Sequence, residues 1–213
     1  MKILALSDEE CPALWDYYTP GRLKDYDLIL SCGDLNAQYL SFLVTMARCP
    51  VLYIHGNHDE SYDVKPPLGC DNIEDKIVVY KGLRILGLGG SMKYRPGEHQ
   101  FTERQMHKRI RKLKRKLKKY KGVDIVLSHS PVAGYGDLPD PAHKGFACFR
   151  EFIDTYHPRY WLHGHVHKSY DYAMERVHKC GDTTIINACN RYEFEIEDDS
   201  YTPCQLKGDL PYV

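Results

Sequence analysis

The sequence predicts an α/β fold, and two observations carry that reading: apolar runs of strand length recur along the chain, and a helical period stands between two of them. Residues 2–7 form an apolar run ending at Asp8, and residues 27–32 form a second ending at Gly33-Asp34; both read as buried strands. Between residues 36 and 48, Leu40, Leu43, Val44 and Ala47 keep a helical period, and Pro50 stops it before a strand at 51–54. This is the strand, helix, strand unit of a parallel sheet. Across residues 77–88 two β-rich runs flank Lys81-Gly82, which predicts a hairpin closed by Gly87, Gly89 and Gly90. Further strands are expected at 124–127, 160–162, 170–172, 184–187 and 192–196, and a helix at 147–156 that ends before Pro158.

A chain of 213 residues with no internal repeat or linker is expected to form one domain over 1–213. Hydrophobic residues make up 43% and charged residues 27%, which excludes wholesale disorder. No stretch approaches the length of a membrane span, and the N-terminal run enters a polar motif with no cleavage region. It reads as strand one, and the expected location is the cytoplasm. The eight cysteines are scattered without a Cys-x-x-Cys pair and read as small buried apolar groups, not a zinc or disulfide framework.

Five short motifs follow apolar runs in a fixed order: Asp8-Glu9-Glu10, Gly33-Asp34, Gly56-Asn57-His58-Asp59, Ser128-His129 and Gly164-His165-Val166-His167. Strand ends in an open α/β sheet are where loops converge, so ligands far apart in sequence can meet there. The inventory of carboxylates, imidazoles and one side-chain amide suits two divalent metals sharing a carboxylate. The one-residue spacer between His165 and His167 is expected to place both imidazoles on one side of an extended segment. His163 is read as structural, and His55 is left outside the site.

The order and residue types resemble the calcineurin-like metallophosphoesterase superfamily over Asp8 to His167, with Glu10 standing where that family usually has histidine. The resemblance implies a four-layer αββα sandwich, two mixed sheets face to face with helices outside. It implies that Asp34 bridges two metals, that Asp8, Glu10 and His167 complete one, and that Asn57, His129 and His165 complete the other. Two cations sharing a water would supply a bridging hydroxide near neutral pH for attack on a phosphate ester. His58 is then the candidate acid for the leaving group, with Asp59 to fix its tautomer or raise its pKa.

Glu10 in place of an imidazole adds one negative charge and a hard oxygen ligand, which predicts a manganese preference and a pH optimum above neutral. Iron, zinc, nickel and magnesium are the other ions such a site admits. Glu9 is expected to face away from Asp8 and Glu10.

Residues 103–121 carry eleven lysines and arginines against one acidic residue in a chain of zero formal charge. Met106, Ile110, Leu113, Leu117 and Tyr120 give this segment, about 102–121, one apolar helical face. Its cations, at 104–121, offer a surface for nucleic acid or nucleotide, set against a solvated face partly neutralised by the acidic region 193–199. Loops at 91–101 and 140–146 are expected to border the site and select substrate. The reading is a metal-dependent phosphoesterase acting on a phosphate-ester substrate, by preference a phosphodiester. A phosphomonoesterase and a non-catalytic metal-binding scaffold of the same fold are the alternatives. Nothing in the sequence sets an oligomeric state.

Overall fold

Ile3 and Ala5 of the first strand face one apolar cluster while Leu4 and Leu6 face another, the period of two expected of a strand buried on both sides. The computed structural model describes residues 1–170 and 174–197. In chain order its first elements are β1 (Lys2–Ser7), β2 (Leu28–Ser31), α1 (Ala37–Met46), β3 (Val51–Tyr53), β4 (Asp71–Asn72), β5 (Ile77–Tyr80) and β6 (Leu83–Leu88). Then come β7 (Ser91–Met92), β8 (Gln100–Phe101), α2 (Glu103–Lys119), β9 (Ile125–Ser128), α3 (Ala147–Tyr156), β10 (Tyr160–His163), β11 (Val177–Cys180), β12 (Thr183–Asn187) and β13 (Asn190–Glu195).

One sheet has the order β13-β1-β2-β3-β4, the other β11-β12-β10-β9-β6-β5, and β7 pairs with β8 in a short ribbon. The centres are parallel, β1 with β2 and β6, β9, β10 and β12 in succession, while β13, β11 and β5 run antiparallel at the edges. An apolar cluster drawn from both sheets, including Ile3, Leu30, Leu52, Ile85, Leu127 and Ile186, fills the space between them. The far side of the first sheet packs on α1 through Leu40 and Leu43, and the far side of the second packs on α2 and α3. This is the four-layer αββα sandwich.

The helix α2 forms for local reasons. Thr102 and Gln105 make a reciprocal capping box, a device that stabilises a helix start by about 1 kcal/mol. Met106, Ile110, Leu113 and Leu117 are buried against the second sheet, so the cations face outward. Within the acidic 193–199 region, Glu193 does not meet them. Glu193 lies on β13 in the other sheet and pairs with Lys2 at 3.8 Å, whereas Arg109 of α2 pairs with Glu74 and Asp75. Residues 198 and 199 lie outside the described residues.

One other expectation needs correction, and one strand was not expected. Tyr170 belongs to a 3₁₀ turn at Lys168–Tyr170, not to a strand, and the remainder of 170–172 lies outside the described residues. The edge strand β11 was not legible, because Val177 and Lys179 are exposed and His178 half-buried, leaving no apolar alternation to read. All seven described cysteines are free thiols and six are buried, while Cys204 lies outside the described residues.

Candidate metal centre

Four loops meet at the C-terminal ends of β1, β2, β3 and β10, and glycines allow them to touch. A Cβ on Gly33, at φ +94°, would stand 2.2 Å from the backbone nitrogen of Gly56, and one on Gly56 would stand 2.1 Å from Asp34 Oδ1. A Cβ on Gly164 would fall 1.9 Å from Ser7 Oγ and 2.5 Å from Asp8 Oδ2. Gly164→Ala is therefore expected to lower stability by about 1 to 3 kcal/mol, a drop of roughly 3 to 10 °C in Tm. Thermal unfolding checks it, and an unchanged Tm would show that the loops have slack.

Asp8, Asp34 and His165 all have positive φ, at 65°, 56° and 68°, which turns the chain sharply as it leaves each strand. Both carboxylate oxygens of Asp8 accept from the His165 N–H at 2.9 Å. Asp34 Oδ1 accepts from the His58 N–H at 2.8 Å. Asp59 Oδ2 accepts from the backbone N–H groups of Asp34 and Gly56, both at 2.7 Å. Burial, then the nearby Asp34 charge, pushes Asp59 up to about 6.

His129 is fully buried and carries the clearest chemical signal. Its Nδ1–H donates to the Cys32 carbonyl at 2.8 Å, so in the neutral ring Nε2 holds the lone pair. That nitrogen faces Asp34 Oδ2 at 3.2 Å and Asn57 Oδ1 at 3.1 Å. Three electron-pair donors thus converge on one point, and Asn57 Nδ2 is buried without a partner. Such a cluster needs a positive charge among its members. Burial disfavours a charged His129, yet Asp34 and Asp8 outweigh it and push the imidazole up to about 9; burial would likewise raise Asp34, but the His129 charge and hydrogen bond outweigh it and hold that carboxyl below the usual range. A divalent cation meets the same need with donors of the kinds such ions take.

His165 donates its Nε2–H to the Ala142 carbonyl at 2.7 Å, which leaves Nδ1 as its donor atom, and its ring lies 4.8 Å from that of His129. Burial, followed by the His129 charge, lowers it to about 3 and keeps it neutral. One potential ligand atom from each of Asp34, His129 and His165 lies within 4.8 Å of the others. His167 Nε2 stands 4.0 Å from Asp8 Oδ1, while its Nδ1 lies 3.3 Å from Glu9 Oε1. Burial raises the Asp8 pKa, with His129 opposing.

The structure departs from the sequence reading in three places. His165 and His167 do not share one side of an extended segment; a tight turn, with Val166 N–H donating to Gly164 O at 2.8 Å, separates them. Glu9 does not face away: a turn at Asp8, with Glu9 N–H donating to Ser7 O at 2.7 Å, breaks strand alternation and brings Glu9 to His167. Glu10 Oε1 instead accepts from Asn36 N–H at 2.9 Å. Asp59 is bonded to backbone amides, and the group beside the His58 ring is Arg95, with its NH2 at 3.3 Å from Nδ1. Arg95 comes from the 91–101 loop and Ala142 from the 140–146 loop, so both loops border the site as expected. His163 ends β10, fully buried, with Nδ1 donating to Gly164 O. An open cleft of about 460 Å³ is lined by Asp8, Asp34, Asn36, His58, Ser61 and His167, among others.

The calcineurin-like phosphoesterase family matches residues 1–169. No curated protein matches the chain. Solved structures similar to it include TT1561 of Thermus thermophilus, at 15% identity and TM-score 0.57 over 89% of each chain. A provisionally assigned 5'-nucleotidase from Staphylococcus aureus, solved with alpha-ketoglutarate, is 14% identical at TM-score 0.59, covering 97% of this chain and 54% of its own. GAP50, the anchor in the inner membrane complex of Plasmodium, is 12% identical at TM-score 0.53, covering 88% of this chain and 70% of its own. No helix among the described residues is long and apolar enough to cross a membrane. With its fold shared by these structures and its family matched over residues 1–169, the chain belongs to the calcineurin-like phosphoesterases, metal-dependent hydrolases of phosphoric esters.

Proposed function

We propose that this phosphoesterase acts on phosphodiesters, as a single domain, with two divalent ions held between the strand ends. The observation that carries the reading is the convergence of His129 Nε2, Asp34 Oδ2 and Asn57 Oδ1 on one point. Asn57, His129 and His165 would hold one ion, Asp8, Glu10 and His167 the other, and Asp34 would be shared. The ions, when bound, would act as Lewis acids on a phosphoryl oxygen and lower the pKa of a bound water. Glu9, against His167 Nδ1, fixes the tautomer that leaves Nε2 free toward Asp8. Glu10 has one oxygen committed to Asn36 N–H, so its second oxygen is the one left for an ion.

His58 is exposed at the mouth of the cleft and is the proposed proton donor to the leaving alkoxide. Arg95 only donates hydrogen bonds, so its contact with Nδ1 selects the tautomer protonated on Nε2. Asp59 acts on the reaction through the backbone, by holding the Asp34 and Gly56 amides together. An open cleft leaves room for both substituents of a diester, which favours diester over monoester substrates. The second reading is a phosphomonoesterase, favoured by the fold shared with the Staphylococcus aureus protein.

Metal-stripped protein resupplied separately with manganese, magnesium, iron, nickel and zinc should be most active with manganese, above neutral pH, because three acidic ligands leave a weaker positive field. Glu10→Ala should weaken manganese binding. Turnover supported by zinc or iron alone, or peaking in acid, would overturn this account of Glu10. The ratio of rates on an aryl diester and an aryl monoester chooses between the two readings. Arg104, His107, Lys108, Arg111 and Lys112 line an outward basic hollow on α2, and steep salt dependence on DNA or RNA, absent with a small ester, would mark a polynucleotide substrate.

A further inference from the structure

Beside the catalytic cleft stands a second gathering of metal-ligand side chains that the proposed chemistry does not use. His55, at the end of β3, and His99, in the 91–101 loop, stack with ring centroids 4.5 Å apart and planes within 5°. Asp63 closes the 3₁₀ turn Asp59–Asp63 beneath the candidate acid. One potential ligand atom from each of His55, Asp63 and His99 lies within 4.8 Å of the others. An open hollow lined by Glu60, Asp63, Val64, Gly97 and Glu98 gives three carboxylates along an approach from solvent.

Two further observations separate this cluster from ordinary packing. His99 Nε2 is buried with no hydrogen-bond partner, an arrangement that desolvates a polar atom for no return unless something binds it. His55 Nδ1 is engaged by Glu74 Oε2 at 2.6 Å, and Glu74 Oε1 is in turn held by Arg109 at 2.8 Å. A carboxylate behind an imidazole is the arrangement that orients a metal-binding histidine and raises its basicity.

We propose that His55, Asp63 and His99 form a mononuclear site for a first-row divalent transition metal, zinc by preference, separate from the catalytic ions. Two imidazoles and one carboxylate suit zinc, with water in the remaining position. The ion would clip the 91–101 loop to the Asp59–Asp63 turn. That loop carries Arg95 and that turn follows His58, so the clip would hold the Arg95–His58 contact together.

The test is zinc content and affinity of metal-stripped protein after equilibration with zinc alone, with cobalt substituted to read coordination from its visible absorption. His99→Gln and Asp63→Asn are each expected to lose one ion per chain, or to weaken one site at least tenfold. Asp63 is exposed, so its variant answers the question even if His99→Gln fails to fold. Asp34→Asn, which disturbs the catalytic centre, should keep this ion, and adding His99→Gln should remove it; this separates the site from the dinuclear reading. Unchanged zinc content and affinity in folded Asp63→Asn would overturn the proposal.

Discussion

Asp34→Asn is expected to lower kcat on an aryl phosphodiester by about 10³-fold or more while the protein remains folded. The substitution keeps the shape of the side chain, so Oδ1 still accepts from the His58 N–H and the loop stays in place. What changes is the edge facing His129. An amide placed with its NH2 at that edge donates to the Nε2 lone pair, so the convergence of donors is satisfied without a cation. The proposed shared carboxylate is lost at the same time, and both ions lose a ligand. Loss of turnover should therefore come with loss of bound manganese, read by elemental analysis. A variant that keeps full metal content and turns over within about tenfold of the parent would place the ions elsewhere.

This coupling between loop geometry and charge explains which parts of the molecule were legible beforehand. Buried strands show themselves because both faces are apolar, as in β1 and β2, and α2 shows itself through Met106, Ile110, Leu113 and Leu117. The residues at the centre were also legible, because Gly33-Asp34 and Gly56-Asn57-His58-Asp59 sit at strand ends where the structure brings them together. What the sequence hid depends on backbone direction after each strand. Positive φ at Asp8 and His165 breaks alternation, so arguments from strand periodicity misplaced Glu9 and the His165–His167 pair. The contact of Arg95 with His58 was hidden for another reason: the sequence places Arg95 in a loop expected to border the site, and only folding shows which residue it meets. Asp59 has the sequence position of a catalytic partner, but two backbone amides take up the oxygen involved.

His58→Ala should lower kcat by about 10² to 10⁴-fold on a diester with an alkyl leaving group, and far less on one with a nitrophenyl leaving group. A nitrophenolate departs without a proton, whereas an alkoxide is too basic to leave unassisted, so the size of the loss should follow the basicity of the leaving oxygen. Metal content should stay unchanged, because the imidazole of His58 is exposed and contacts Arg95, while its hydrogen bond to Asp34 is made by the backbone N–H, which alanine keeps. Equal losses on the two esters would remove His58 from proton transfer and leave it a binding role at the mouth of the cleft. A selective loss with metal retained would assign the proton to His58 and show catalysis, since a scaffold that binds metal without turnover has no leaving group to protonate.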